Sequence, residues 1–200
     1  MTCVKFVAGI QINMKPNIFV GFQLLGMLAK DGRSKCLDAK ADGYCRSEGV
    51  VCVLLQKKSN SKRIYAHILN SQSNCDGYKE EGITFPRLMT QTTLIKETIK
   101  KANVNPLDIE YVEAHLTGTQ AGDPIESSAI LNALRPDSSK SLLLGALKSN
   151  IGHSEGCSAL CSVSKVIKIF QKHEIPANIN FETPNPAIKG LKDGQIIPVL

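Results

Sequence analysis

The chain has 200 residues, 42% of them apolar, and its 24 basic and 18 acidic residues leave a formal charge of +6. That length and apolar content bury a sizeable core, which excludes general disorder and points to one globular domain or a large piece of one. Aromatic residues at 5%, no tryptophan and no long single-sign block leave out the clustered basic and aromatic face of a nucleic-acid binder.

Val4–Ile12, V-K-F-V-A-G-I-Q-I, reads as a buried strand. Parallel α/β sheets grow from complete strand-helix-strand crossovers, so a central-looking strand at the very start implies an upstream half outside this sequence. Phe22, Leu25 and Met27 or Leu28 recur at helical spacing over Phe19–Leu28, Asp31-Gly32 turns the chain, and an exposed polar loop runs to Gly43. Val50–Leu55 and Ile64–Leu69 read as an antiparallel hairpin, with Lys57, Lys58, Lys62 and Arg63 solvating its tip. Ser73–Pro86 is loop-like, and Thr90–Ala102 is an amphipathic helix stopped by Asn103–Pro106.

The seven cysteines, at 3, 36, 45, 52, 75, 157 and 161, form no C-x-x-C pair, which favours reduced thiols over zinc ligands. No secretory signal opens the chain and no segment is long and apolar enough to cross a bilayer, so the expected location is the cytoplasm. Cys157 and Cys161 are expected to pack a helix.

The stretch Asp108–Glu126 organises the rest. Ile109, Tyr111 and Val112 form a short strand, Thr117-Gly118-Thr119 turns it, and Asp123, Pro124 and Glu126 open a helix as N-cap, first-turn proline and capping-box partner. His115 therefore stands at the carboxyl end of a strand, the rim where open α/β sheets bind ligands. The geometry repeats: Leu142–Leu147 is a second apolar strand, Lys148–Gly152 turns, and His153 follows. Ser154 and Glu155 suit the first turn of a helix whose stripe is Leu160, Val163, Val166, Ile167 and Phe170. If the two strands are neighbours, both imidazoles and the Lys148 ammonium converge on one side of the sheet, a grouping suited to a developing oxyanion. A metal-dependent hydrolase built on His115, Asp123 and His153 is the competing arrangement, requiring all three within about 2.0–2.2 Å of one ion. Asn178–Pro186 is an extended Asn- and Pro-rich segment, and Val199-Leu200 end the chain in a strand.

The segments E-A-H-L-T-G-T with G-D-P-I-E at Glu113–Glu126 and K-S-N-I-G-H-S-E at Lys148–Glu155 resemble the β-ketoacyl synthase family, in the form found in animal-type fatty acid synthases and related polyketide synthases. G-Y-C-R-S-E-G-V-V at Gly43–Val51 and N-I-N-F-E-T-P-N-P at Asn178–Pro186 extend the resemblance over nearly the whole chain. It implies an α/β, thiolase-like layered α-β-α sandwich in incomplete form. Residues 1–85 would be the end of the N-terminal half and residues 86–200 a truncated C-terminal half.

The implied reaction is decarboxylative Claisen condensation of acyl and malonyl thioesters carried on the phosphopantetheine arm of an acyl carrier protein domain, with a homodimer as the complete assembly and no cofactor bound directly. By matching position His115 and His153 are the implied oxyanion donors and Lys148 the supporting active-site lysine. Thr117, Thr119 and Asn150 are the implied substrate-binding residues, and Ser73–Pro86 is implied to lie beside the substrate entrance. Leu116 and Ala159 stand where the family has glycine, and at Leu116 the change implies an altered loop or pocket. The family's D-T-A-C-S-S nucleophile motif does not occur, Cys3 lies in the wrong context, and the closing G-F-G-G-x-N turn does not occur either. The isolated chain is thus expected to form no acyl-cysteine. A non-catalytic acyl-binding or dimerisation module is the alternative.

Overall fold

A computed structural model describes residues 4–82, 85–137 and 140–200, and Cys3 and part of the Ser73–Pro86 loop lie outside those residues. Three short strands pair in parallel in the order β3 (Tyr111–Glu113), β4 (Leu142–Gly145), β5 (Ile196–Pro198). Tyr111 stands opposite Leu143, and Leu142 opposite Ile196. Parallel neighbours need crossovers, and α3 (Gly122–Leu134) supplies the one between β3 and β4. The core is built on this sheet: Ala114, Leu116, Ile130, Leu134, Leu142, Leu144, Ala146, Ile188 and Ile196 are buried together, with Cys36 and Leu37 brought in from the long loop. α2 (Leu88–Ala102) packs on α3, and its partly buried Ile95 and Ile99 lie against this core.

The second sheet has two strands, β1 (Val4–Gln11) and β2 (Gly49–Gln56), antiparallel in the register Val4 opposite Gln56 and Gln11 opposite Gly49. This corrects two expectations. The partner of β2 is β1, while Ile64–Leu69 forms no strand and leaves Ile64, Ile68 and Leu69 exposed. β1 is an eight-residue match for β2 and wins the pairing over the closer segment. Nor is β1 buried: Phe6 is 76% exposed, and apart from its pairing with β2 the strand touches the chain mainly where Gly9 backs onto Gly156 and Cys157. A Cβ at Gly9 would stand 2.9 Å from the Gly156 carbonyl oxygen, so this approach requires glycine.

α1 runs Pro16–Leu24, earlier than the expected Phe19–Leu28, because Pro16 supplies a pre-set first helical residue. α4 (Lys148–Ile151) is one turn of helix inside the expected 148–152 turn, and α5 (Ser158–Lys172) follows. His173 ends α5 in the left-handed conformation, its N–H on the Ile169 carbonyl. α6 (Lys189–Lys192) leads into β5.

Candidate active site

His115 leaves the end of β3 with its backbone held by a carboxylate. Glu126, one turn into α3, accepts the His115 N–H at 2.7 Å and the Leu116 N–H at 2.8 Å. Asp123, fully buried, accepts from the amides of Gly118 at 3.1 Å, Thr119 at 3.3 Å and Leu37 at 3.0 Å. The expected capping box is thereby corrected: the helix begins after Ala121, and both carboxylates turn back onto the preceding loop, whose otherwise orphaned amides are the better donors. Thr119 serves this helix start instead, its hydroxyl accepting the Gly122 N–H at 3.2 Å and lying 3.2 Å from the Thr117 hydroxyl.

Leu116 holds a φ of +24° with its side chain 1% exposed. The leucine thus keeps the glycine-like turn and recovers its conformational cost by filling the core, where its carbonyl accepts from the Cys36 thiol at 3.0 Å.

The second unit arrives from β4. Lys148 opens α4 and is 4% exposed. Gly152 then takes a φ of +76° against the Cys45 carbonyl, leaving no room for a Cβ, and this turn sets His153 beside residues 45–47. The His153 N–H donates to the Cys45 carbonyl at 2.7 Å, and its own carbonyl accepts the Ser47 N–H at 3.0 Å. β3 and β4 being neighbours, the rings of His115 and His153 meet edge to face with centroids 5.0 Å apart. A cavity of about 410 Å³ opens here, walled by Glu113, His115 and Lys148 on the sheet side and by Ser162, Val163, Val166 and Ile167 of α5. His115 is on the cavity wall. His153 stands behind it in ring contact with both His115 and Tyr44, the latter at 5.1 Å.

Both imidazoles are held neutral. Enclosure by protein, then the Lys148 charge, then His153 push His115 down to about 3. Enclosure and Lys148 push His153 down to about 4, against the pull of Glu155. His115 retains solvent access at the cavity. Burial likewise lowers Lys148, opposed first by Glu126. The Glu155 N–H donates to His153 Nδ1 at 3.0 Å, which assigns the ring proton to Nε2 and leaves that atom as a donor.

Of the residues singled out from the sequence, His115, His153 and Lys148 are brought together. Thr117 and Thr119 close the loop beside His115. The Asn150 amide is engaged with the Ala177 carbonyl at 2.9 Å. Asp123 is not drawn to the histidines, and among the described residues no group of three or more His, Cys, Asp or Glu is placed to hold a metal, which removes the hydrolase arrangement.

Cys36 sits under the His115 loop, but burial pushes its thiol pKa far up, away from a nucleophile's range. The six described cysteines are free, and Cys157 and Cys161 pack against each other with sulfurs 3.6 Å apart.

Two ion pairs have no counterpart in the sequence reading. Lys165 of α5 meets Glu113 at 2.7 Å with both side chains almost fully buried, and Arg46 meets Glu155 at 2.9 Å. The second joins Gly43–Val51 to Lys148–Glu155.

Residues 65–182 match the family described as beta-ketoacyl synthase, C-terminal domain, and residues 2–61 match beta-ketoacyl synthase, N-terminal domain. A fatty acid synthase of Anser anser anser is 48% identical over 161 residues, covering 80% of this chain and 46% of that protein. A highly reducing polyketide synthase of Aspergillus terreus is 38% identical over 190 residues, 93% of this chain and 7% of that protein. The chain therefore spans less than half the length of these relatives.

Among solved structures, the ketosynthase from module 6 of the bacillaene synthase of Bacillus subtilis superimposes with a TM-score of 0.89 at 31% identity, over 92% of this chain and 33% of that one. The oxazolomycin ketosynthase domain OzmH KS7 of Streptomyces albus gives 0.90 at 29% identity, over 94% and 33%. The fold is accordingly a partial, thiolase-like α/β fold. With more than half its length matched by one domain description and most of the rest by the other, the chain belongs to the beta-ketoacyl synthase family.

Proposed function

We propose that this chain is the histidine-bearing part of a fatty acid synthase condensing domain. The observation that carries the reading is the contact between two neutral imidazoles at one sheet rim, one of them on a cavity wall beside a buried ammonium. A malonyl thioester losing carbon dioxide leaves an enolate whose negative charge gathers on the thioester oxygen. Neutral imidazoles donating through N–H stabilise that oxyanion, and each donor in a low-dielectric site contributes about 3 kcal/mol. The enolate carbon then attacks an acyl group on a cysteine of a D-T-A-C-S-S-type segment, forming the carbon-carbon bond and expelling the thiolate.

In this reading Lys148 acts through its field, keeping the rings unprotonated and therefore able to orient one N–H each. Thr117 and Thr119 contact the phosphopantetheine arm of an acyl carrier protein domain, and Asn150 braces the loop beneath it. The assembly is a cytoplasmic homodimer. The 48% identity to a fatty acid synthase over 80% of the chain favours a fatty acid over a polyketide product.

Decarboxylation does not need the acyl-cysteine, so it can be followed with this chain alone. Malonyl-pantetheine labelled at the free carboxyl should release carbon dioxide above the buffer rate, and His115→Ala and His153→Ala should each return release to background. Equal release from all three proteins would overturn the proposal. That result would favour the second reading, an acyl-binding or dimerisation module, for which the exposure of Phe6, Ile10, Met14 and Leu24 speaks.

A further inference from the structure

Gly43–Val51 lends no side chain to the proposed chemistry, yet its Arg46 is 7% exposed and points at the loop that bears His153. The guanidinium forks onto Glu155, Nε to Oε1 and Nη2 to Oε2, both at 2.9 Å. Its faces are covered by the Phe19 and Phe22 rings, with centroids 4.7 and 5.3 Å away. The Tyr44 hydroxyl adds a bond to the same Oε1 at 3.4 Å. A carboxylate gripped this way has one position. The backbone of Glu155 has an unusual conformation: its φ is +36°, a left-handed value that a residue with a Cβ rarely adopts. With the carboxylate anchored, that φ fixes the side chain relative to the peptide plane whose N–H donates to His153 Nδ1 at 3.0 Å.

We propose that the Arg46–Glu155 pair is the positioning device for His153: it holds Glu155 in the left-handed turn so that its N–H occupies Nδ1 and the ring proton stays on Nε2. Arg46 and Glu155 are positioning residues and touch no substrate. The flanking bonds from Cys45 and Ser47 to the His153 main chain fix where the ring is, while the ion pair fixes which nitrogen donates. The inference rests on His153 being an oxyanion donor, but it is read from the tautomer and not from turnover, so the two can fail separately.

The test uses the full 200-residue chain labelled with ¹⁵N-histidine and long-range ¹H–¹⁵N correlation spectra at neutral pH. In the unaltered protein His153 shows one tautomer with Nδ1 unprotonated. Glu155→Ala removes the grip but keeps a Cβ, and Arg46→Met removes the fork while keeping an apolar stem over Phe19. Both variants should show the two tautomers in exchange, with the Nδ1 signal moved toward the protonated position. Arg46→Lys should recover part of that shift.

Glu155→Gly separates this role from ordinary ion-pair stability, because glycine takes the left-handed turn unaided and should keep the original tautomer without any carboxylate. An unchanged tautomer in folded Glu155→Ala and Arg46→Met, or a Glu155→Gly as disturbed as Glu155→Ala, overturns the proposal. If Arg46→Met does not fold, the alanine–glycine comparison still decides. A tautomer change in Glu155→Ala with undiminished carbon dioxide release upholds the positioning role and removes the condensing reading.

Discussion

Lys165→Met is the substitution whose consequence the structure sets most tightly. Lys165 reaches from α5 to Glu113, Nζ to Oε2 at 2.7 Å, with side-chain exposures of 4% and 5%. Glu113 also accepts the Leu147 N–H at 2.6 Å and the Tyr111 hydroxyl, so its carboxylate is fixed and cannot turn to water when the ammonium is lost. Methionine matches the lysine stem in volume, so the change removes charge with little cavity. Breaking a buried pair on one side costs about 3–5 kcal/mol, because the remaining charge is uncompensated. Against a stability of about 5–15 kcal/mol, that is from roughly a fifth to the whole of it.

The paired change Glu113→Gln/Lys165→Met should recover at least half of the loss, since glutamine still accepts from Leu147 while needing no counter-charge. Urea unfolding of the four proteins of this cycle, followed by circular dichroism, gives the coupling directly. A loss below about 1 kcal/mol for Lys165→Met, or a double variant no more stable than the single one, would contradict the assignment of a buried, mutually dependent pair.

Stability should also fall with acidity. His153 is pushed down to about 4 from an ordinary 6.5, so between those values the unfolded chain binds a proton that the folded chain refuses. The stabilisation is complete above pH 6.5 and lost as pH falls to about 4, by roughly 2 kcal/mol after allowance for partial exposure of the ring. His115 acts in the same direction, and urea midpoints measured across this range check the sign. Leu116→Gly should destabilise by about 2–4 kcal/mol, because emptying a Leu-sized space outweighs the roughly 1 kcal/mol of backbone strain that glycine relieves. A neutral or stabilising result in the same unfolding assay would show that strain is the larger effect. Glu126→Gln should cost about 1.5–3 kcal/mol through one charge-assisted bond to the His115–Leu116 amides, and backbone exchange at those two amides should accelerate.

What could be read from the sequence was local or repeated. The strands at Tyr111–Glu113 and Leu142–Gly145 announce themselves by short β-forming runs with a turn after each, and two such units predicted that His115 and His153 would meet. The pairing of β1 with β2 spans some forty residues, so the nearer Ile64–Leu69 looked like the partner although nothing in it competes with the register β1 offers. Asp123 and Glu126 carried a helix-start pattern, but whether such carboxylates cap their own helix or a neighbouring loop depends on which amides the fold leaves unpaired. The Lys165–Glu113 and Arg46–Glu155 pairs leave no local trace at all, because a charge in sequence does not say what it faces. Leu116 shows the same limit from the other side: the missing glycine was visible, but the core space that receives the leucine was not.

The central claim is that His115 and His153 are adjacent, neutral donors at one rim of the parallel sheet. It is tested most directly by titrating the ring signals of the two assigned histidines by NMR, together with the cross-relaxation between their ring protons. The expected result is a ring-to-ring contact consistent with centroids 5.0 Å apart and both rings uncharged down to about pH 4. Titration of either ring near its ordinary value of 6.5, or no contact between them, would contradict it.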